Sequence, residues 1–406
     1  MSRLDLDEWS SSEHCLTVAQ RDALQAALKP SALKIEHVSG VEGKYLLTTG
    51  STVGAFEVGD LSVLIQPKIE IPHLLSIACF AIGKVNLRSS DFDFPERSAL
   101  PDVLALALGR AARYAFSRGL LHGYISREES LQTVRGRIRF EEQLRRRPGV
   151  LLPIEVRYDE FTDDILANRL VKSAALKLAV AGLRSERARN ELHWIAGMLD
   201  NVSQCEWLPS TVPEVTFDRL NEHYKDVVTL SRLVLRGGAF EARKRGKVRA
   251  QGFLMDMNAV FQEFVTVSLR ESLGLSKQEF RERSIDSLDM GNKVRLKPDL
   301  VWWQAGRHVF VGDAKYKNIT GDRIPNDDLY QILAYVTALG LRGGMLVYAE
   351  GECNPETITV RNAGTQLEIA SLDISGSLVQ VLERVASLAK QVRRLRNEAE
   401  IVRPAA

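Results

Sequence analysis

The sequence KPDLVWWQAGRHVFVGDAK, at residues 297–315, contains two apolar runs on either side of Gly306. Both runs are rich in β-branched and aromatic residues, and the short connection between them predicts a β-hairpin. If the chain reverses near Gly306, Asp299 lies opposite Asp313, with Cβ atoms roughly 4.5–5.5 Å apart. Because side chains alternate between the two faces of a strand, Lys315 points to the same side as Asp313. One face of the hairpin is therefore expected to carry two acids and an amine.

Two neighbouring carboxylates repel each other unless a positive charge lies between them. Asp299 and Asp313 offer hard oxygen ligands, which suit Mg²⁺ or Mn²⁺. Such an ion can polarise a phosphodiester and lower the pKa of a bound water molecule, while Lys315 orients or deprotonates that water. The arrangement predicts metal-dependent hydrolysis of phosphodiester bonds.

An acid-x-Lys triplet alone is a weak signal, since the chain contains another at Glu42-Gly43-Lys44. A solvated strand face with a surface ion pair between Asp313 and Lys315 would produce the same pattern. The prediction of a metal site therefore depends on the order of Asp299, Asp313 and Lys315 along the chain and on the expected hairpin register.

The composition is that of an ordinary folded protein and excludes several classes. With 406 residues, the chain is long enough for two or three domains. Lys and Arg number 54 against 52 for Asp and Glu, so no global positive field marks a nucleic-acid binder. The four cysteines lie far apart without CxxC spacing, which argues against a zinc ribbon or a disulfide framework and favours a reducing compartment.

Membrane and secretion signals are not expected from the sequence. The longest apolar stretch, around residues 74–82, is too short to span a bilayer. The acidic N-terminus does not resemble a signal peptide. We therefore expect a cytoplasmic protein with no membrane contact.

Hydrophobic patterning divides the chain into three expected domains of a mixed α/β (α+β) fold. They are an N-terminal β/α module with a small β-sheet (residues 1–125), a mainly helical middle domain with a protruding hairpin (126–250) and a C-terminal domain that ends in a helix (251–406). The last domain alternates helices and strands, which predicts a mixed sheet flanked by helices. The hairpin of the middle domain is expected at the basic connection Arg145–Gly149.

The residues of the hairpin, with others along the chain, resemble the PD-(D/E)xK nuclease superfamily and, within it, the McrC family. This family is the nuclease subunit of McrBC-type modification-dependent restriction systems, and the resemblance covers most of the chain. Besides Pro298-Asp299 and Asp313-Ala314-Lys315, the matching elements are Pro67-Lys68-Ile69, Arg135-Gly136-Arg137, Asp164 with Asn168-Arg169, Asn221 with His223-Tyr224, Met255-Asp256-Met257-Asn258 with Phe261, and Gln331 with Tyr335.

The resemblance implies a role for each site residue. Residues 251–406 would be a PD-(D/E)xK nuclease domain in which Asp299 and Asp313 hold Mg²⁺ or Mn²⁺, with the Ala314 carbonyl as a candidate third ligand. Lys315 would serve the attacking water. Gln331 would bond near the scissile phosphate, and Tyr335, on the same helix face, would support the metal-binding strand.

The chain departs from the family pattern at one position. Family members commonly carry Glu directly after the helix phenylalanine, whereas this chain has Gln262, followed by Glu263. A displacement by one residue rotates a side chain by about 100° around a helix, so Glu263 is expected to face away from the metal. Gln262 could still bind the metal through its amide oxygen or through a water molecule.

The resemblance also implies partners. The segment Gly40–Tyr45 is too short for a phosphate-binding loop, so no nucleotide motor is expected in this chain. An McrB-type AAA+ GTPase hexamer would supply the motor and recognise modified double-stranded DNA, and this chain would stimulate its GTP hydrolysis. The N-terminal and middle regions would dock on the ring, with the Arg145–Arg147 hairpin in its pore. The basic residues 243–249 would hold the DNA backbone.

Two other function classes remain open from the sequence. The chain could be a regulatory adaptor whose nuclease site is weakened, as Gln262 suggests. It could also be a stand-alone repair nuclease of the same superfamily, which would cut DNA without a motor.

Overall fold

The computed structural model describes residues 2–83, 99–243, 249–282, 286–319, 324–351 and 356–400. The basic loop predicted at residues 243–249 lies outside this part of the chain, apart from the backbone at its two ends. No helix within the described ranges is both long enough and apolar enough to cross a bilayer.

Apolar periodicity predicts helices at residues 17–28, with a capping box at Thr17 and Gln20, and at 71–83, 101–120, 164–180, 186–199, 217–235, 257–273, 327–339 and 378–401. The described helices include one at each of these places. They are α1 (Val18–Ala27), α2 (Ile71–Gly83), α3 (Leu100–Phe116), α4 (Phe140–Arg146), α5 (Leu166–Ala179), α6 (Glu186–Met198), α7 (Lys225–Arg236), α8 (Met257–Leu273), α9 (Asn326–Ala338) and α10 (Leu378–Glu400). The predicted capping box of α1 is present, because Thr17 and Gln20 each accept a hydrogen bond from the other's backbone amide at 3.0–3.2 Å.

The strands are distributed over both halves of the chain. They are β1 (Ser2–Asp7), β2 (Ser11–Cys15), β3 (Leu33–His37), β4 (Lys44–Thr49), β5 (Thr52–Val58), β6 (Leu61–Gln66), β7 (Gly123–Leu131), β8 (Arg137–Ile138), β9 (Ile154–Thr162), β10 (Gly238–Arg243), β11 (Arg249–Asp256), β12 (Phe280–Glu282), β13 (Asp286–Ser287), β14 (Arg295–Leu296), β15 (Leu300–Gln304), β16 (Arg307–Ile319), β17 (Gly343–Gly351), β18 (Glu356–Thr359) and β19 (Gln366–Ser371). Helices and several sheets together confirm the mixed α/β class.

The chain folds into two compact units, one of residues 1–100 with 240–406 and one of residues 101–239. In the first unit, β11 pairs antiparallel with β5 and so joins the N-terminal sheet, whose strand order is β1-β6-β5-β11-β10. β11 leads directly into α8. The N-terminal module and the C-terminal region are therefore parts of one unit, and the three-part division by function stays a prediction.

β1 was not predicted, because its sequence is mostly polar. It pairs parallel with β6, and its two leucines, Leu4 and Leu6, are buried in the core beneath the sheet. Two alternating apolar residues are too short a pattern to indicate a strand by themselves.

The second unit contains the three-stranded sheet β7-β9-β8 and helices α4 to α7. The strand pair predicted on either side of Arg145–Gly149 is present in part, because β8 pairs antiparallel with β9. The connection is more than a turn, since α4 occupies residues 140–146 and contains the first two arginines of that stretch. Glu142 forms ion pairs with Arg145 at 2.6 Å and with Arg146 at 2.5 Å, at helical spacing. Acids in the first turn and arginines in the last also match the helix dipole.

α7 begins eight residues later than its predicted start at Phe217. Asp218 and Asn221 instead form a turn, in which the Asn221 side chain accepts a hydrogen bond from the Asp218 amide at 2.7 Å. Short polar side chains of this kind compete with helical backbone hydrogen bonds. Only after the 3₁₀ turn Glu222–Tyr224 does the α-helix begin.

The six-stranded sheet β12-β15-β16-β17-β19-β18 confirms the predicted mixed sheet flanked by helices. β16 pairs antiparallel with β15 and parallel with β17. Val311 packs with α9 through Ile332 on one face, whereas Tyr316 contacts Phe261 of α8 on the other. Because alternate residues of a strand share a face, Asp313 and Lys315 of β16 lie on the α9 side.

Candidate functional site

The β15–β16 hairpin has the predicted turn and register. Ala305 and Gly306 both have positive φ, 48° and 78°, which is the requirement of the two-residue turn that fits the twist of a hairpin. Leu300 pairs with Gly312, and a bulge near the turn shifts only the last pairs. Asp299 directly precedes Leu300 and is thereby brought beside Asp313, as the sequence predicts.

The two acids lie in a nearly closed environment. Asp299 is 9% exposed and Asp313 is 1% exposed. Asp299 accepts a hydrogen bond from the Ala314 amide at 3.1 Å. Burial, and then the charge of Asp313, raise the pKa of Asp299 to about 7. The pair therefore concentrates negative charge where water is scarce, and it favours any cation that reaches it.

Lys315 supplies one such cation. Its Nζ lies 2.5 Å from Asp313 Oδ2 and donates a hydrogen bond to Gln331 Oε1 at 2.8 Å. Burial lowers the pKa of Lys315, but the neighbouring carboxylates, chiefly Asp313, outweigh it and hold this pKa above its ordinary value. The side chain is therefore a charged donor, which suits it to orient a water molecule or a phosphate oxygen.

Gln331 and Tyr335 continue this network along one face of α9. Gln331 Nε2 donates to Tyr335 Oη at 2.6 Å, and Tyr335 Oη donates to the Lys297 carbonyl at 3.2 Å. The Lys315 ammonium is thereby connected to the segment that precedes Asp299. The structure thus brings together the four residues predicted to be catalytic, and Tyr335 lies in the supporting position expected for it.

Asp328 lies at the site, although no role was predicted for it. It is buried, accepts a hydrogen bond from Tyr348 Oη at 2.9 Å, and contacts Lys317 Nζ through both oxygens at 3.2 Å. Its charge also acts on Lys315. One signal could have found it, because Asp328 stands three residues before Gln331 and so shares its helix face.

Gln262, not Glu263, faces β16 at the candidate site. Gln262 Nε2 donates a hydrogen bond to the Ala314 carbonyl at 3.3 Å. Glu263 lies about 100° further around α8. Rotation of the Gln262 amide by half a turn would present its oxygen at the same place. The expectation that Glu263 faces away agrees with this geometry, and the role of Gln262 as a ligand stays a prediction.

The donors at the site suit a hard divalent ion. Within the described ranges, no three His, Cys, Asp or Glu side chains converge as a ready metal cluster. The available ligands are the carboxylates of Asp299 and Asp313 and the carbonyl of Ala314. Asp313 Oδ2 is close to Lys315 but receives no well-oriented hydrogen bond from the described residues. Mg²⁺ commonly takes one or two carboxylates and keeps several waters, so this donor set fits it.

Glu8 is a second buried acid near β16 that the sequence did not indicate. It follows β1 and is 1% exposed. Its Oε2 accepts hydrogen bonds from the Lys68 amide and from Tyr316 Oη, both at 3.2 Å. Burial, only partly offset by these bonds, raises the pKa of Glu8 to about 7.

Replacement of Glu8 with glutamine is expected to change how stability depends on pH. The native state holds a proton on Glu8 that the unfolded chain releases at lower pH, so the free energy of unfolding falls as pH rises from about 4.5 to about 7. The full cost is about 3 kcal/mol above pH 7. Glu8→Gln should therefore be more stable than the wild type above pH 7, by up to this amount, and similar to it at acidic pH.

Urea unfolding of both proteins across this pH range measures the effect. Glu42→Gln, at an exposed acid, is the matched control and should follow the wild type. A Glu8→Gln curve parallel to that of the wild type would show that Glu8 is already charged in the native state.

The family-matching residues of the second unit form a structural network. Asp164 accepts two hydrogen bonds from the Arg169 guanidinium, both at 2.8 Å, and further bonds from Ser203. Asn168 is fully buried and donates to the carbonyls of Leu121 and Asp163. Asn168 thus connects α5 to the loop before β7. The presence of Asp164, Asn168 and Arg169 can therefore be explained by their contacts within the fold.

The chain is similar to known restriction-system proteins in sequence and in fold. Residues 47–349 match the model of the family described as McrBC 5-methylcytosine restriction system component. The Type IV methyl-directed restriction enzyme EcoKMcrBC of Escherichia coli (strain K12) is 21% identical over an alignment of 306 residues, and the match covers 70% of this chain and 86% of that protein.

The fold is shared with a solved structure, described as the refined half-complex from the tetradecameric assembly of Thermococcus gammatolerans McrB AAA+ hexamers with bound McrC. The match has a TM-score of 0.57 at 16% sequence identity, and it covers 96% of this chain and 100% of the other. At this level of identity the match is evidence for the fold alone.

Proposed function

The chain belongs to the McrBC 5-methylcytosine restriction system component family as an McrC-type component, and on this premise we propose that it is the Mg²⁺-dependent DNA endonuclease of such a system. The observation that carries the proposal is the buried pair Asp299 and Asp313, joined by the charged Lys315 on one hairpin face. A purely structural ion pair would need only one of these acids. The second acid adds a negative charge that Lys315 alone does not neutralise, and a divalent ion would neutralise it.

In the proposed mechanism, Asp299, Asp313 and the Ala314 carbonyl would hold the metal, which when bound would supply Lewis acidity and positive charge at the scissile phosphate. Lys315 donates a hydrogen bond that orients the attacking water or a phosphate oxygen, because its pKa is held above the ordinary value by Asp313. Gln331 fixes the position of the Lys315 ammonium, and Tyr335 fixes Gln331.

We also propose that the chain works with an McrB-type AAA+ GTPase hexamer and acts on modified double-stranded DNA. Support comes from the family and from the similar fold of the solved assembly, whose description names McrB hexamers with bound McrC. The second unit offers a docking surface on α4, where Phe140 and Leu144 are both 68% exposed. Large exposed apolar side chains are typical of protein–protein interfaces.

Incubation with methylated or unmethylated plasmid, GTP, Mg²⁺ and the partner motor tests the function. The proposal predicts that the methylated plasmid is cleaved and the unmethylated plasmid is not. It also predicts that cleavage is lost when EDTA removes the divalent ion. Acceleration of GTP hydrolysis without cleavage by any divalent ion would identify a regulatory adaptor instead. Cleavage without the motor would identify a stand-alone nuclease.

Replacement of Gln262 with glutamate is expected to strengthen metal binding. The new carboxylate would lie at the Ala314 carbonyl, beside Asp299 and Asp313, and more ligand charge raises affinity for a hard cation. We expect the dissociation constant for Mg²⁺ or Mn²⁺ to fall by about tenfold in calorimetric titration.

Glu263→Gln is the matched control, since it removes a charge from the neighbouring position of the same helix. It should leave the metal affinity unchanged. The opposite pattern, with weaker binding in Glu263→Gln and no gain in Gln262→Glu, would mean that α8 presents Glu263 to the metal.

A further inference from the structure

A small pocket lies at the end of β16 in the first unit. It has a volume of about 30 Å³, and its lining includes Trp9, Lys68, Ile69, Tyr316, Lys317 and Asp373. We call it the Trp9 pocket. A volume of this size accommodates one or two water-sized groups, such as the oxygens of a phosphate, but not a nucleobase.

The Trp9 pocket adjoins the candidate catalytic site through Lys317. Lys317 follows Lys315 by two residues on β16, which corresponds to roughly 6.6 Å along a strand. Asp328 contacts Lys317 at 3.2 Å, and its charge also acts on Lys315. The pocket is thereby linked to the Lys315 network through the Lys317–Asp328 pair, while Tyr316 of its lining lies on the α8 face of β16.

The walls of the pocket are held in place from below by Glu8. One carboxylate oxygen accepts hydrogen bonds from the Lys68 amide and from Tyr316 Oη, so it fixes the loop after β6 against β16. The other oxygen, Oε1, is buried and has no hydrogen-bond partner among the described residues.

Trp9 occupies an unusual backbone conformation at the mouth of the pocket. Its φ is 52°, which bulky side chains rarely adopt and which tends to persist where it serves a function. The turn is held by Thr49, whose hydroxyl donates to the Asp7 carbonyl at 2.6 Å. The indole is 41% exposed, so the turn presents a large apolar face beside the lysines.

The charges around the pocket favour an anion. Lys68 is exposed, and 41% of the Lys317 side chain is exposed although it is paired with Asp328. The acid in the lining, Asp373, is ion-paired with Arg384 at 3.1 Å. Cationic ammonium groups beside an apolar ring match the phosphate and the sugar of a nucleic-acid backbone.

We propose that the Trp9 pocket binds a backbone phosphate of the DNA strand being cut, to one side of the scissile phosphate. Lys68 and Lys317 contact the phosphate, and the Trp9 indole packs against the adjoining sugar. This inference rests on the proposed nuclease function and adds a backbone-binding subsite to it. The subsite holds the strand in register with Lys315 without reading its sequence.

The test measures binding of a fluorescent DNA duplex by the full chain at several salt concentrations, with Mg²⁺ present. The Asp313→Asn background prevents cleavage during the measurement. Lys68→Gln is expected to weaken binding roughly tenfold and to lower the slope of log affinity against log salt by about one. Lys68→Arg, which keeps the charge, should restore both. Lys29→Gln, at an exposed lysine elsewhere in the same unit, is the matched control.

Trp9→Gly provides a second variant that does not depend on charge. Glycine tolerates positive φ, so the fold should be retained, as a thermal melt would show, while DNA binding weakens. Unchanged affinity and salt slope in Lys68→Gln and in Trp9→Gly, while the wild type binds and cleaves DNA with its motor, would overturn the subsite alone. Failure of the wild type to bind or cleave DNA with its motor would overturn the proposed function and the subsite together.

Discussion

Replacement of Asp313 with asparagine is expected to reduce DNA cleavage by ~10³-fold or more while the fold is retained. Asparagine has nearly the same shape, so the buried position can accommodate it. The change removes the charge that would bind the metal and that holds Lys315 at 2.5 Å. Single-turnover cleavage of methylated plasmid with the partner motor and GTP measures the loss.

Two comparisons make this prediction specific. Lys315→Ala should lose cleavage to a similar extent, because it removes the only partner that the Asp313 carboxylate has in the described ion pairs. Glu42→Gln alters the other acid-x-Lys sequence of the chain at an exposed position and should cleave like the wild type. Stimulation of GTP hydrolysis should survive in all three variants. Equal cleavage by all of them would place the chemistry elsewhere.

In the absence of divalent ions, Asp299→Asn is expected to be more stable than the wild type, and Mg²⁺ is expected to reduce or reverse this difference. Without divalent ions, the wild type keeps two like charges close together in a buried place, and asparagine relieves this by on the order of 1–3 kcal/mol. With Mg²⁺ at about 100 times its dissociation constant, binding stabilises the wild type by about 2.7 kcal/mol. The variant, which lacks one ligand, should gain much less.

Thermal unfolding in EDTA and in Mg²⁺ measures both effects. The variant should have the higher midpoint in EDTA, and the difference should shrink or change sign as Mg²⁺ is added. Glu42→Gln should shift in parallel with the wild type. Equal Mg²⁺ shifts in the wild type and in Asp299→Asn would argue that the ion binds at another place.

The local parts of the site could be predicted from the sequence, because each depends on neighbours in the chain. The hairpin of β15 and β16 follows from two apolar runs around Gly306, and its register places Asp299 beside Asp313. α8 and α9 follow from apolar periodicity, which also puts Gln331 and Tyr335 on one face. Strand alternation then puts Lys315 with Asp313, where the structure has it.

The remaining parts depend on contacts between distant segments and could not be predicted. β1 becomes a strand only because β6 offers it a partner, and Glu8 becomes buried only when Tyr316 packs over it. α4, in the connection between β8 and β9, was not predicted, because a seven-residue helix has too little periodicity to outweigh the Pro-Gly signal that follows it. Asp328 acquires its role from Lys317 and Tyr348, which belong to two other strands.

The pairing of β5 with β11 has a consequence for biosynthesis. As the chain leaves the ribosome, the whole of the second unit emerges before Arg249. The backbone N–H and C=O groups on one edge of β5 therefore have no strand partner until β11 is translated. Domains generally fold as units during synthesis, and exposed strand edges attract other chains. The middle of the polypeptide should therefore fold first, and chaperone protection of the nascent N-terminal strands should govern the yield of the finished protein.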